Sequence, residues 1–255
     1  MENRVQVEER EGGDWSLGSA GEVVYVAPEP GPKEARVWFF TRKGGVSERP
    51  FDSLNISLKV GDEPEAVTEN RNRIRDAMDG RESAWVRQVA GDRVVRVSEP
   101  GLAGDADAVV TDEEGFSLVV AVADCVPVAL VGCDAGEVAM VHSGWRGTIA
   151  EIVGKAAQEM RRSGVRAYIG PCIRGCCYEV SEELAERFAE RYGPEVVKER
   201  YLDLPRAIKK NLEEVGAGEV HDLGLCTGCR TDLFFSHRKQ GPETGRNLAA
   251  VALLP

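Results

Sequence analysis

The sequence lacks a long uninterrupted apolar run. Its longest, Phe116 to Cys133, is cut by Asp124 and Pro127 and falls short of the ~20 residues that a bilayer-spanning helix needs. The first ten residues, Met-Glu-Asn-Arg-Val-Gln-Val-Glu-Glu-Arg, offer no apolar core for a secretory signal, so the expected location is cytoplasmic. Positive charge is also in deficit: 32 Lys and Arg against 43 Asp and Glu leave a net charge of −11. A surface that acidic repels phosphate backbones and anionic lipid, which argues against nucleic acid and membrane as partners. An even cysteine count is missing too. Seven thiols in a reducing compartment read as core, ligand or nucleophile, not as a disulfide framework. Histidine is scarce at three residues, and neither a repeat nor a linker divides the chain.

What is present suits a folded domain. The chain of 255 residues is 42% apolar and 29% charged, enough to bury a sizeable core. Residues 1–35 are acidic and hold clustered Gly and Pro, with only Val23 to Val26 strand-like, so a loosely ordered lead-in is expected before a domain over 36–255. Val37 to Thr41 reads as a buried strand, and Glu63 to Met78 as a helix with proline at its first position. Ala84 to Val89 and Arg93 to Val97 read as a strand pair about Gly91-Asp92.

Leu118 to Ala123 and Val126 to Val131 are continuous apolar runs, the pattern of strands covered on both faces, and Val138 to Val141 adds another. Helical spacing over Thr148 to Met160, a strand at Arg166 to Ile169, helices at Glu182 to Arg191 and from Pro205, and a last strand at Leu248 to Leu253 complete the pattern. The expected fold is α/β: a single domain with a mixed β-sheet flanked by helices.

Chemistry can sit in two places. The first is Ala123-Asp124-Cys125-Val126-Pro127, where an acid and a thiol fall between two apolar strands. Buried bare, they cost several kcal/mol, so they must be paired or used; a core cysteine beside a hydrogen-bonded turn aspartate is the plainer reading. The second is Val141-His142-Ser143-Gly144-Trp145-Arg146-Gly147-Thr148, a strand end followed by a turn and a helix start. There Arg146 and the helix start after Gly147 suit phosphate or carboxylate, and His142 suits a base, a metal ligand or a structural histidine under a turn.

Cys125 and His142 on neighbouring strands have two uses, as a thiolate–imidazolium nucleophile or as two ligands of a transition metal. Cys172, Cys176 and Cys177 with Cys226 and Cys229 could be assembled into a four-thiolate zinc site, but they lack its usual spacing, so core or rim thiols are the expected reading. Arg238 and Arg246 read equally as anion contacts or solvated charges.

The strings Phe40-Thr-Arg-Lys-Gly-Gly-Val-Ser47, Leu54-Asn55, Gln88-Val89, Asp105-Ala-Asp107, Ala123-Asp-Cys125, His142-Ser-Gly-Trp-Arg-Gly147, Ile169-Gly-Pro171, Cys176-Cys-Tyr-Glu-Val180, Leu225-Cys-Thr227, Phe235-Ser236 and Gly245-Arg246 occur in one order. In that order the chain, over roughly 36–255, resembles the laccase-domain family, once called multicopper polyphenol oxidase, whose present naming is purine nucleoside phosphorylase. The resemblance implies phosphorolysis of adenosine, inosine and methylthioadenosine with phosphate as co-substrate, and adenosine deamination as a related activity. It also implies one zinc or copper held by His-Cys-His, with Cys125 and His142 as two of the ligands. Phosphate or substrate anion binding is assigned to Arg42 and to Arg146 with the helix start after Gly147. Asn55 is a candidate substrate contact by its position in the pattern, and Asp124 joins Cys125 and His142 as catalytic.

One position departs. The remaining ligand belongs directly after Gln88-Val89, where this chain has Ala90, and a methyl group cannot coordinate. Metal at this site is therefore expected to be weakly held. Three histidines cannot build a multicopper oxidase. Two rivals stand beside phosphorolysis: a cysteine-dependent hydrolase or amidase of the peptidoglycan-precursor-editing kind, with Cys125 as nucleophile and His142 as base, and a non-enzymatic metal or nucleoside sensor.

Overall fold

Runs that are apolar on both faces need two covering layers, and the chain supplies them with a second sheet and with helices. The computed structural model describes residues 15–133, 136–160 and 164–255. Its strands begin with β1 (Trp15–Ala20), β2 (Val23–Pro28), β3 (Ala35–Phe40), β4 (Glu82–Arg87), β5 (Val94–Arg96), β6 (Gly101–Asp105), β7 (Ala108–Thr111) and β8 (Phe116–Val122). They continue with β9 (Val126–Gly132), β10 (Val138–Ser143), β11 (Val165–Ile169), β12 (Val197–Lys198), β13 (Tyr201–Leu202), β14 (Val220–Asp222) and β15 (Asn247–Leu253). The helices are α1 (Pro64–Ala77), α2 (Trp145–Ile149), α3 (Ile152–Glu159), α4 (Glu182–Tyr192), α5 (Leu204–Glu214) and α6 (His237–Gln240).

The mixed α/β architecture is as expected, with the strands divided among a seven-stranded sheet (β1-β2-β3-β15-β8-β4-β6), a six-stranded sheet (β14-β11-β9-β10-β7-β5) and the small β12-β13 pair. A twisted sheet holding all of them would pass the ~10 strands at which open sheets split. The period of two along each strand assigns the faces. On β9 and β10, Ala129, Val131, Val138 and Met140 meet Val37, Phe39, Val120 and Val251 of the other sheet. Their alternates Val128, Leu130, Ala139 and Val141 meet Ile152, Val153, Phe188 and Ile208 of the helices. On the far side, Trp38, Phe40 and Ala250 pack against Ile74, Ala77 and Met78 around α1. The order of layers is helix, sheet, sheet, helices.

Three expectations are corrected. Residues 15–28, expected to be loosely held, form the β1–β2 hairpin, which pairs on to β3; Trp15 and Leu17 pack against the core between the sheets and hold it there. The first fourteen residues of that lead-in lie outside the described residues. The strands on either side of Gly91-Asp92 do not pair with each other: β4 runs parallel to β8 and β6, while β5 runs parallel to β7 in the other sheet. The Val89–Asp92 turn thus crosses between sheets.

The helix expected over Thr148 to Met160 is two helices. It starts earlier, at Trp145, with Gly144 as N-cap, and breaks at Glu151, whose φ is 63°. The carboxylate of Glu151 accepts two Arg191 N–H bonds at 2.6 and 2.8 Å, which offset that unfavourable backbone state. Among the described residues no helix is long and apolar enough to cross a membrane.

One half-buried ion pair fixes the loop after β11. Arg174 donates two bonds to Asp222 of β14 at 2.6 and 2.8 Å, and Lys209 adds a third contact at 2.9 Å. Burial alone would raise the pKa of Asp222, but the Arg174 bonds and charge outweigh it and hold the carboxyl at about 2. A depressed carboxylate stabilises the fold above its unfolded pKa, and that contribution vanishes as pH falls through the folded value. Asp222→Asn is expected to destabilise by about 3 kcal/mol at neutral pH. Denaturant unfolding should show the gap from wild type closing as the pH falls to about 2; a gap that does not change with pH would count against this pair.

Candidate active site

β9 and β10 are antiparallel, with Ser143 opposite Val126 and His142 opposite Pro127. Cys125, one residue before β9, therefore arrives beside the end of β10. The two side chains that the sequence singles out do meet: the Cys125 thiol is hydrogen-bonded to the His142 ring. Gly144 makes room for it, since a Cβ there would lie 3.0 Å from the Cys125 sulfur.

The other ring nitrogen of His142, Nδ1, lies 2.7 Å from Oδ1 of Asp107. His142 is 8% exposed and Asp107 fully buried. Burial would lower the pKa of this histidine, but the bonds and charges of Asp107 and Cys125 prevail and push it up to about 9. Burial likewise opposes ionisation of Asp107, and His142 together with backbone N–H groups reverses the effect and lowers its pKa. Those N–H donors are Val89, Ala90 and Gly91, at 3.2, 3.1 and 2.7 Å. Asp107 thus clamps the crossing turn and the histidine with one carboxylate. The result is a buried Asp107–His142–Cys125 chain, with a ring that carries a proton at neutral pH.

Asp124, expected to be catalytic, has both carboxylate oxygens engaged. Oδ1 accepts from the Thr227 hydroxyl and Oδ2 from the Arg238 N–H, each at 2.6 Å, and its own carbonyl accepts from Ile173 N–H at 2.9 Å. Its left-handed backbone (φ 86°) aims the carboxylate at these loops. Its geometry is that of a positioning residue.

Cations gather around the pair. Arg246 donates to the carbonyls of Thr244 and Gly245 at 2.8 and 2.9 Å, and its charge reaches Cys125 and Asp124. Arg146 is exposed and lies 4.2 Å over the Trp145 ring, and Arg238 lies 5.0 Å over the Tyr178 ring. The Tyr178 phenol, pushed up to about 12 chiefly by burial, senses Cys125, Arg238, Asp124 and Arg146. Trp145, Tyr178, Leu184, Arg200 and Arg238 line an open cleft of about 460 Å³.

Other expected contacts fall elsewhere. Arg42 is buried and spends its guanidinium on the Asp52 and Thr231 carbonyls, at 2.6 and 3.0 Å, and on the Asp52 carboxylate at 3.2 Å. These contacts engage its donors inside the protein, where they hold a loop. Asn55 is fully buried and bonds Ser57, Asp62 and Arg246 N–H, which fixes the backbone of Arg246. Gly147 lies inside α2, not before it.

The donor set does not fit the metal that the resemblance implies. Ala90 N–H and His142 Nδ1 share the same Asp107 oxygen, so the Ala90 backbone lies near His142, but its methyl group brings no lone pair. Among the described residues the one group of three or more potential ligands is Cys176, Cys177, Cys226 and Cys229. Cys125 and His142 gain no third donor, and two ligands make a poor site for zinc. Asp107 has no role in the sequence reading, although an acid heading the apolar strand β7 is a signal that it must be paired. Arg246 is ambiguous along the chain because Cys125 and Asp124, which its charge reaches, and Asn55, which holds its N–H, are distant in sequence.

Comparison with known proteins agrees with this architecture. A purine nucleoside phosphorylase of Deinococcus radiodurans is 37% identical over 226 residues, covering 84% of this chain and 88% of that protein. Purine nucleoside phosphorylase YlmD of Geobacillus stearothermophilus is 34% identical over 239 residues, covering 83% and 87%. The crystal structure of YlmD from the same organism superposes with a TM-score of 0.83 at 29% identity, covering 98% of this chain and 100% of that one. That of Neisseria meningitidis protein NMB0706 gives 0.82 at 30% identity, covering 92% and 100%. Residues 36–254 match the family model described as multi-copper polyphenol oxidoreductase laccase, and this chain belongs to that family.

Proposed function

We propose that the chain catalyses phosphorolysis of purine nucleosides, with adenosine, inosine and methylthioadenosine as substrates, at the site around Cys125 and His142. The observation that carries the reading is a buried His142 held by Asp107 and Cys125 and pushed toward its protonated form, with the charge of Arg246 reaching Cys125 and those of Arg146 and Arg238 reaching Tyr178. A chain of net charge −11 concentrates cations here, which is what an anionic co-substrate needs. The names of the relatives support the same chemistry.

Arg246 and Arg146 hold phosphate against the anomeric carbon of the sugar. A phosphate oxygen bonds C1′ as the C1′–N9 bond breaks, and the electron pair stays with the purine. His142 supplies the proton that the departing base takes up, and the proton of hydrogen phosphate restores the imidazolium, so the products are a sugar 1-phosphate and the free base. Asp124 holds the Thr227 and Arg238 walls in place. No step is routed through a metal, and deamination, which asks for a metal-activated water, is not part of this scheme.

Incubation with inosine and phosphate should release hypoxanthine and ribose 1-phosphate in equal amounts. Arg246→Met should raise the KM for phosphate by about 10- to 100-fold, the range of one charge-assisted bond. Base release that does not depend on phosphate would overturn the scheme.

The Asp107–His142–Cys125 chain also favours a second reading, a thiol hydrolase or amidase in which Cys125 attacks a carbonyl and His142 serves the leaving amine. An acyl adduct on Cys125, seen by intact mass with an amide substrate, would select that reading.

A further inference from the structure

We propose that Cys176, Cys177, Cys226 and Cys229 form a four-thiolate site for a tetrahedral, thiophilic divalent cation of the zinc class, outside the Cys125–His142 site. All four sulfurs lie within 4.8 Å of one another, and Cys229 is 3.5 Å from both Cys176 and Cys177. Zinc with Zn–S bonds of about 2.3 Å spaces its sulfurs about 3.8 Å apart, so small adjustments close the shell. All seven cysteines are unbridged.

The backbone explains how cysteines some fifty residues apart, two of them adjacent, reach one point. Cys172 and Cys226 form a parallel bridge, with Cys172 N–H donating to Leu225 and Thr227 N–H donating back to Cys172, at 3.2 and 3.0 Å. Two tight turns then leave side by side. In one, Cys177 and Tyr178 N–H donate to the Arg174 carbonyl at 2.8 and 2.9 Å; in the other, Arg230 N–H donates to Cys226 at 3.0 Å.

The Cys226 sulfur accepts N–H bonds from Arg174 and Cys229, the kind of outer partner that orients a thiolate toward a cation. Gly228 lets the turns touch: a Cβ there would sit 3.0 Å from the Cys177 Cβ and 3.1 Å from its sulfur. A tetrahedral all-sulfur set selects zinc or iron over magnesium or calcium. On binding, each thiol that coordinates as thiolate gives its proton to solvent. The site fastens the turn that carries Tyr178 to the turn that carries Thr227, the partner of Asp124.

The test is metal analysis of full-length protein purified with added zinc and without chelator, with total zinc released by a mercurial. Wild type and Cys125→Ser should each hold one equivalent, and Cys229→Ser none. Iodoacetamide pulse-labelling read by mass should find four cysteines protected by zinc in wild type, which does not depend on any variant folding. Zinc lost with Cys125→Ser, absence of bound zinc in wild type, or a mass two hydrogens lighter from a Cys229 disulfide would each overturn the proposal. Loss of phosphorolysis with zinc retained would count only against the proposed activity.

Discussion

Asp107→Asn is expected to cut turnover by about 10³- to 10⁴-fold, the scale seen when the acid that orients a catalytic histidine is made neutral. Asp107 touches no substrate. It acts through His142, whose Nδ1 it holds at 2.7 Å, and through the Val89–Gly91 turn. Burial drags the pKa of His142 down, and the hydrogen bond and negative charge of Asp107 oppose that pull. Once the charge is removed, burial gains the upper hand, so His142 loses its proton at lower pH. The alkaline limb of the pH–rate profile, expected near 9 in wild type, should then move toward neutrality. The variant should also lose about 3 kcal/mol of stability, because one partner of a buried charged pair is gone. A merely structural aspartate would lower stability but leave that limb in place, and such a result would remove Asp107 from the scheme.

The fold is legible in the sequence where periodicity reports burial. The unbroken apolar runs are β8, β9 and β10, buried on both faces, and Pro64 and Pro205 mark the starts of α1 and α5. What stays hidden depends on partners distant in sequence. β1, Trp-Ser-Leu-Gly-Ser-Ala, has weak strand propensity and gains its order from pairing with β2 and from Trp15 and Leu17 reaching the core. The expected hairpin at Gly91-Asp92 looks local, but its turn is closed by Asp107, sixteen residues away.

The site divides the same way. Cys125 and His142 are readable because both sit at ends of adjacent apolar strands, where a polar residue needs a reason. Arg42, near glycines, looks free along the chain; only the fold shows its guanidinium engaged by Asp52 and Thr231. Spacing alone argues against a site for the four thiols of the two turns. Spacing measures loop length, and the Cys172–Cys226 bridge makes loop length irrelevant by setting the turns side by side.

Ala90→His should create a metal site at Cys125 and His142, and the backbone is already set for it. Ala90 holds φ at 57°, a left-handed state that is costly for alanine and entered more readily by histidine. Its N–H bond to Asp107 keeps that conformation and brings its backbone close to the histidine that shares the same carboxylate oxygen. A third donor turns two ligands into the three-ligand arrangement of an open zinc site. The expected gain in zinc affinity is at least about 100-fold, since even outer-shell changes in such sites are worth 10- to 100-fold. Competition against a chromophoric chelator should show one equivalent more than in the parent protein, and Cys125→Ser added to Ala90→His should abolish that increment while leaving any zinc on the four-cysteine turns in place. Should the extra equivalent survive loss of Cys125, or fail to appear in a variant whose unfolding midpoint matches the parent, Ala90 would not be facing the thiol–imidazole pair.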